Sequence, residues 1–158
     1  MMLMIRIVIM LFLSTLSACG FEPVYGDGGT GMSLQNQLLV DRPIDREGYI
    51  LVRRIEERLG RAADPSYLLS VDLSVSQEDS AIDPEGDIRR FQLIGSATYI
   101  LKDTRAGAII TTGTVDNFVG SSATGTTVAT FASRRDAEER LMIMLADQIV
   151  LQLQMSSL

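Results

Sequence analysis

Tyr67-Leu68-Leu69-Ser70-Val71-Asp72-Leu73-Ser74-Val75-Ser76 is the stretch that decides the fold. Tyr67, Leu69, Val71, Leu73 and Val75 alternate with Leu68, Ser70, Asp72, Ser74 and Ser76. A period of two is the mark of a strand with one buried face. The alternation returns at Phe91, Leu93, Gly95, Ala97, Tyr99 and Leu101, set against Gln92, Ser96, Thr98 and Lys102. Asp103 to Gly107 reads as a turn and Ala108 to Val119 as a third, Thr-rich strand, so these last two form an antiparallel hairpin. Gly113 within it marks a bulge or a close backbone contact. Between the first two strands, Gln77 to Asp87 is polar and acidic with Pro84 and Gly86, and reads as a loop.

Upstream, Leu34 to Val40 is a modest first strand closed by Asp41-Arg42-Pro43. Asp45 is placed to cap a helix running to Leu59, with Gly60 just past its end. Leu51, Ile55 and Leu59 share one face, with Val52 beside them. Arg53–Glu57 and Glu57–Arg61 stand at i, i+4 on the wet side. Downstream, Gly120 to Thr130 carries no charge and reads as a flexible linker. Ser133, three residues before Asp136, then begins a second helix reaching Gln154.

The second half of that helix is nearly all apolar. Met142, Leu145, Ile149 and Leu153 cover one side, and Leu141, Met144, Val150 and Leu151 spill beyond the stripe that packing on one sheet requires. Either a small domain wraps the helix on two sides, or a partner covers the excess. The expected class is α+β: two helices packed on one face of a mostly antiparallel sheet of about four strands. The opposite face carries Ser70, Asp72, Ser74, Gln92, Ser96 and Thr98, and must meet water or a wet protein lumen.

Arg6 precedes a continuous apolar run, Ile7 to Leu13, too short for a membrane span of about 20 residues and suited to a secretory signal. Leu16-Ser17-Ala18-Cys19 follows, with the only cysteine in the chain. Small residues before a cysteine at this point form a bacterial lipoprotein box. Cleavage is expected between Ala18 and Cys19, with a diacylglycerol on the Cys19 thiol and a further acyl chain, such as palmitate, on its amine. Stable anchoring takes more than one chain. The alternative is an ordinary secretory signal with a chance cysteine. Gly20 stands where an aspartate would retain the protein in the inner membrane, which favours the outer membrane. The expected organisation is a signal peptide over 1–18, a lipidated flexible tether over 19–33 rich in glycine, and a single α+β domain over 34–158.

Composition narrows the function. The chain has 14 basic and 20 acidic residues. Loss of Arg6 with the signal leaves 13 against 20, a balance of −7, which argues against nucleic-acid binding. There is no histidine, so histidine triads and His-ligated zinc are excluded. No metal or cofactor is expected. Catalysis would have to use carboxylates. Asp83, Glu85 and Asp87 cluster around Gly86, but acids in a Pro/Gly loop are ordinarily solvated, and the spacing departs from the EF-hand pattern. The chain is read as a non-enzyme.

Residues across the mature chain resemble the LptE family of lipopolysaccharide-assembly lipoproteins, in its alphaproteobacterial form. The likeness begins at Leu16-Ser17-Ala18-Cys19-Gly20-Phe21-Glu22-Pro23-Val24-Tyr25-Gly26. It continues at Tyr67 to Ile82, at Gly113-Thr114-Val115 and at Ser122-Ala123-Thr124-Gly125. It ends with Arg135-Asp136-Ala137-Glu138-Glu139-Arg140-Leu141 and Ala146-Asp147-Gln148-Ile149. The resemblance implies a two-helix, four-strand sandwich seated inside an LptD-type outer-membrane β-barrel, where it helps assemble the barrel and insert lipopolysaccharide into the outer leaflet. It also implies an anchored position on the periplasmic side and in the barrel lumen. Another lipid-trafficking complex with an auxiliary binding lipoprotein is the rival reading.

If the domain touches lipopolysaccharide itself, its phosphates call for arginine. Arg89-Arg90 opens a strand, and Arg134-Arg135 is expected at a helix N-terminus, where free N–H groups favour anions. The plainer reading of both pairs is solvated or locally paired surface charge.

Overall fold

The computed structural model describes residues 33–82, 84, 86, 88–123 and 126–156. The signal peptide, Ala18, Cys19, the tether up to residue 32, the acids Asp83, Glu85 and Asp87, and Thr124-Gly125 lie outside them.

Six elements follow in order: β1 Leu38–Val40, α1 Arg46–Leu59, β2 Tyr67–Ile82, β3 Ile88–Asp103, β4 Ile109–Ser122 and α2 Thr127–Met155. The four strands form one sheet in sequence order. β1 runs parallel to β2, with Leu38 beside Tyr67. The pairs β2–β3 and β3–β4 are antiparallel. This is the expected α+β layout, and alternation explains it. Phe91, Leu93, Ala97, Tyr99 and Leu101 are all buried on one face of β3, where both helices lie.

α1 forms as read. Asp45 Oδ1 accepts the Gly48 N–H at 2.7 Å, and Gly60 closes the helix at a φ of 74°. Ile50, Leu51, Ile55 and Leu59 are its buried stripe. The Arg53–Glu57 pair is present at 3.5 Å, whereas Arg61 turns to Glu56 at 3.6 Å rather than to Glu57. The two helices run side by side in the same direction. Arg46 meets Glu138 near their starts at 3.2 Å, and Arg54 meets Asp147 twelve or so ångströms further along, with Nε–Oδ1 at 3.0 Å and Nη2–Oδ2 at 3.1 Å. The Asp147 hydrogen bond holds the Arg54 guanidinium above its ordinary pKa, against a smaller opposing effect of burial.

Three boundaries differ from the sequence reading. The first strand is only Leu38–Val40, because Ser33-Leu34 form a helical turn and Asn36 takes a left-handed φ of 55°. The stretch Gln77 to Ile82 is strand, not loop. It pairs with β3 beyond the cover of α1, where both faces meet water, so a polar composition is compatible with the ladder. Glu78 stands opposite Gln92, whose Nε2 donates to it at 3.2 Å.

The third difference concerns the expected linker. Gly120 to Ser122 complete β4, and the helix begins at Thr127, six residues before Ser133. Thr126 is the cap, its Oγ1 accepting the Ala129 N–H at 3.3 Å. Ser133 lies inside the helix, its hydroxyl 2.6 Å from that of Ser121. Val128, Ala129, Phe131 and Ala132 are all compatible with helix, and the small neighbours disguised it.

α2 approaches the sheet closely. A Cβ on Gly95 would stand 2.9 Å from Leu145 Cδ1 of the helix, whereas on β4 one on Gly113 would stand 2.6 Å from the hydroxyl of Tyr99, its cross-strand neighbour on β3. Gly113 is thus neither a bulge nor a close backbone contact: the Tyr99 ring covers it in regular register. The Tyr99 O–H donates to Gln152 Oε1 at 2.7 Å, pinning the helix to β3. Burial raises the Tyr99 pKa above its ordinary 10.0.

Candidate functional site

The strands β2 and β3 are longer than α1, and their hairpin forms a projecting distal end. At about 3.3 Å per residue the 16 residues of β2 extend roughly 50 Å. The chain enters the described structure at the other end. There Leu34 is buried, the Asn36 N–H bonds the Leu59 carbonyl at 2.8 Å, and Ser66 bonds Gln37. The start of the described chain and the hairpin end are therefore at opposite poles.

All four arginines singled out in the sequence fall at the distal pole, though not on one side of it. Arg90 pairs with Ser122 in the ladder and alternates with Phe91, which puts it on the open face of the sheet. Arg89 shares the helix side with Phe91, and its carbonyl accepts the Ala123 N–H at 3.0 Å. Arg134 and Arg135 lie in the early turns of α2. They are not at its N-terminus as expected, because the helix starts at Thr127, so free helix N–H groups do not add to their pull on an anion.

Arg134 is engaged: its Nε lies 3.0 Å from Glu138, which also holds Arg46. Among the described residues neither Arg90 nor Arg135 makes an ion pair, and both are exposed.

Apolar side chains accompany these charges, and the sequence reading missed them. Phe131 is 63% exposed, and Val128, one turn earlier, and Ile82 at the hairpin end are also exposed. Phe131 and Arg134 border a cleft of about 290 Å³ closed by Gln77, Phe91, Ala123 and Thr130. The signal was the i, i+3 spacing of Val128 and Phe131, hidden because the segment reads as a linker.

The open sheet face bears the expected Ser70, Asp72, Ser74, Gln92, Ser96 and Thr98. It also carries an unforeseen apolar pair. Phe118, 64% exposed, stands opposite Ile94 across the ladder, over a shallow cleft of about 360 Å³ with Gln92, Asp116 and Asn117. Among the described residues no helix is long and apolar enough to cross a membrane, and no three acidic or cysteine side chains are grouped to hold a metal.

A family model described as LptE, lipopolysaccharide-assembly, matches residues 35–153. No curated protein matches the chain. A lipoprotein crystal structure from Caulobacter crescentus CB15 is similar at 27% identity, covering 78% of this chain and 92% of that one, with a TM-score of 0.64. Rare lipoprotein B from Shewanella oneidensis shares the fold at 15% identity, with 75% and 91% coverage and a TM-score of 0.56. A minor lipoprotein from Acinetobacter baumannii does so at 17% identity, with 77% and 92% coverage and a TM-score of 0.54.

Proposed function

The chain belongs to the LptE lipopolysaccharide-assembly family, and we propose that it is a non-catalytic outer-membrane lipoprotein that plugs an LptD-type β-barrel and hands lipopolysaccharide to the outer leaflet. In this reading residues 1–18 are removed, Cys19 is acylated, and residues 19–33 tether the domain over 34–158. Fifteen extended residues reach at most about 54 Å, enough to let a lipid-held domain enter a barrel from the periplasmic side with its distal pole leading.

The observation that carries the proposal is the composition of that pole. Arg90 and Arg135 are unpaired cations among the described residues, and Phe131 and Val128 are exposed apolar neighbours. A phosphorylated, acylated glycolipid offers the matching pair of chemistries: phosphate for guanidinium and hydrocarbon for the apolar side chains. The open face supports the other half. A large barrel has a polar interior, which suits a sheet of serines, threonines and amides with one aromatic anchor at Phe118.

The test is purification of the tagged full-length chain from native outer membranes. A large β-barrel protein should accompany it in equal amount. The variant R90E/R135E should keep the barrel and lose lipopolysaccharide cross-linking about tenfold. A chain that emerges alone, or in company with an inner-membrane transporter, points to the rival lipid-trafficking role.

A further inference from the structure

β1 occupies only three residues of an edge that is 16 residues long. It pairs with Tyr67–Leu69, and its last bond runs from the Asp41 N–H to the Leu69 carbonyl at 2.9 Å. The chain then leaves the sheet through Arg42 and Pro43 into α1. Successive residues of a strand turn their backbone groups to opposite sides, so Val71, Leu73, Val75, Gln77 and Asp79 present theirs on the same side as Leu69. Among the described residues nothing pairs with them. The vacant run is roughly 26 Å long and ends at a bulge, where the register shifts between Asp79 and Ala81.

A cleft opens where β1 ends. About 280 Å³ lies between Val71 and Leu73 of β2 on one side and Pro43, Ile44, Leu51 and Val52 on the other. Ile44 is 99% exposed, and Val75, next along the helix side of β2, is 38% exposed. On the open face the same run carries Asp72 and Glu78, and Asp79 follows on the helix side. None of these three acids forms an ion pair among the described residues.

We infer that this vacant edge takes an extended segment of the barrel partner as a fifth strand. The segment has apolar residues at the positions facing α1 and basic residues among those facing Asp72 and Glu78. Unpaired N–H and C=O groups repeating at every second residue are matched in register by another backbone, as in strand addition to an exposed sheet edge.

Charge decides among backbones. A second copy does not serve: its own β2 would set acid against acid, and its β4 has Asp116 and no basic residue. Residues 19–32 of this chain do not serve either, since they contain Glu22, Asp27 and Pro23 and no Lys or Arg. A strand with Lys or Arg at alternate positions gains opposite-charge cross-strand pairs and sets an aliphatic side chain into the cleft beside Leu51.

For the identity of the partner the inference rests on the barrel reading. The wall of a closed barrel has no free edge to offer, so the segment is one that lies inside the wall. One strand added beside β2 leaves the open face, β4 and the distal pole free, as seating of a single domain in a lumen requires.

The test uses the tagged full-length chain in cells, with a short diazirine amino acid at Ser74, at Ser76 or, on the opposite edge, at Thr112. Mass spectrometry should place the links from 74 and 76 on one segment of the barrel protein, two residues apart and outside its transmembrane strands. The link from 112 should fall elsewhere. Val75→Pro removes an outward N–H and leaves the β2–β3 ladder whole. Asp72→Lys with Glu78→Lys reverses the charge of the edge. Each change should cut the link from position 76 about tenfold, with circular dichroism unchanged. If Val75→Pro unfolds the chain, the charge reversal decides alone. Missing links from 74 and 76, links to transmembrane strands, to a segment without Lys or Arg, or to a different protein overturn the inference. So does a yield that charge reversal leaves unchanged. Purification of the parent chain keeps the two readings apart: a barrel that accompanies it while these links fail leaves the barrel reading standing.

Discussion

Replacing Gly113 with alanine should destabilise the domain although glycine is ordinarily a poor strand residue. Gly113 does not have a positive φ, so its backbone alone would welcome a side chain, with a gain of about 0.5–1 kcal/mol. The obstacle is the ring of Tyr99 lying across it. A new Cβ would stand 2.6 Å from the hydroxyl, 2.8 Å from Cζ and 3.0 Å from Cε1. Tyr99 is buried, and its hydroxyl is fastened to Gln152 at 2.7 Å, so the ring cannot move without giving up that bond. Overpacking costs about 1–3 kcal/mol and the lost hydrogen bond about 1 kcal/mol. Set against the backbone gain, the net loss is about 2 kcal/mol, or roughly 8 °C in Tm for a domain of this size. Urea and thermal melts of Gly113→Ala, Tyr99→Ala and the double variant measure it. In the Tyr99→Ala background the alanine at 113 should become neutral or stabilising, giving a coupling of about 2 kcal/mol. If Gly113→Ala stabilises the parent chain, the ring does not sit where it has been placed.

Leu145 is fully buried above Gly95. Leu145→Asp leaves an unpaired carboxylate in the core and should cost about 4 kcal/mol or more, seen as loss of the cooperative melt. Asp147→Asn weakens its links to Arg54 and Arg58 between the helices. These groups are partly exposed, so the cost should be only about 1 kcal/mol and should shrink in 1 M salt, as paired melts at two ionic strengths would show. The raised pKa of Tyr99 means that the folded state holds its proton more tightly than the unfolded chain. Its contribution is complete below pH 10.0 and lost as the pH climbs beyond. Tyr99→Phe should remove that alkaline step from a stability–pH profile, at a constant cost of about 1 kcal/mol from the lost hydrogen bond.

Much of the fold was legible in the residues, because alternation at Tyr67–Val75 and Phe91–Leu101 reports which face is buried. The cap at Asp45 and the stop at Gly60 are local signals that tertiary context left in place. Two of the three boundary errors share one physical cause. Gln77–Ile82, Gly120–Ser122 and Thr127–Thr130 lie towards the distal ends of the sheet and α2, where few apolar residues are needed, and composition could not separate strand or helix from loop. The same location hid the candidate site. Phe131 and Val128 looked like linker residues, and Arg134-Arg135 looked like a helix start. Phe118 was lost for another reason: a single aromatic on a polar face breaks no periodicity, and only its pairing with Ile94 shows that the side chain stands in the open.

The central claim is that the distal pole meets lipopolysaccharide while the tethered pole does not. A photo-reactive amino acid placed at Phe131, and in a separate strain at Arg61 near the tethered end, tests it in growing cells. The account predicts a lipopolysaccharide-linked band from position 131 and none from position 61. Equal labelling at both positions, or labelling at 61 alone, would contradict it.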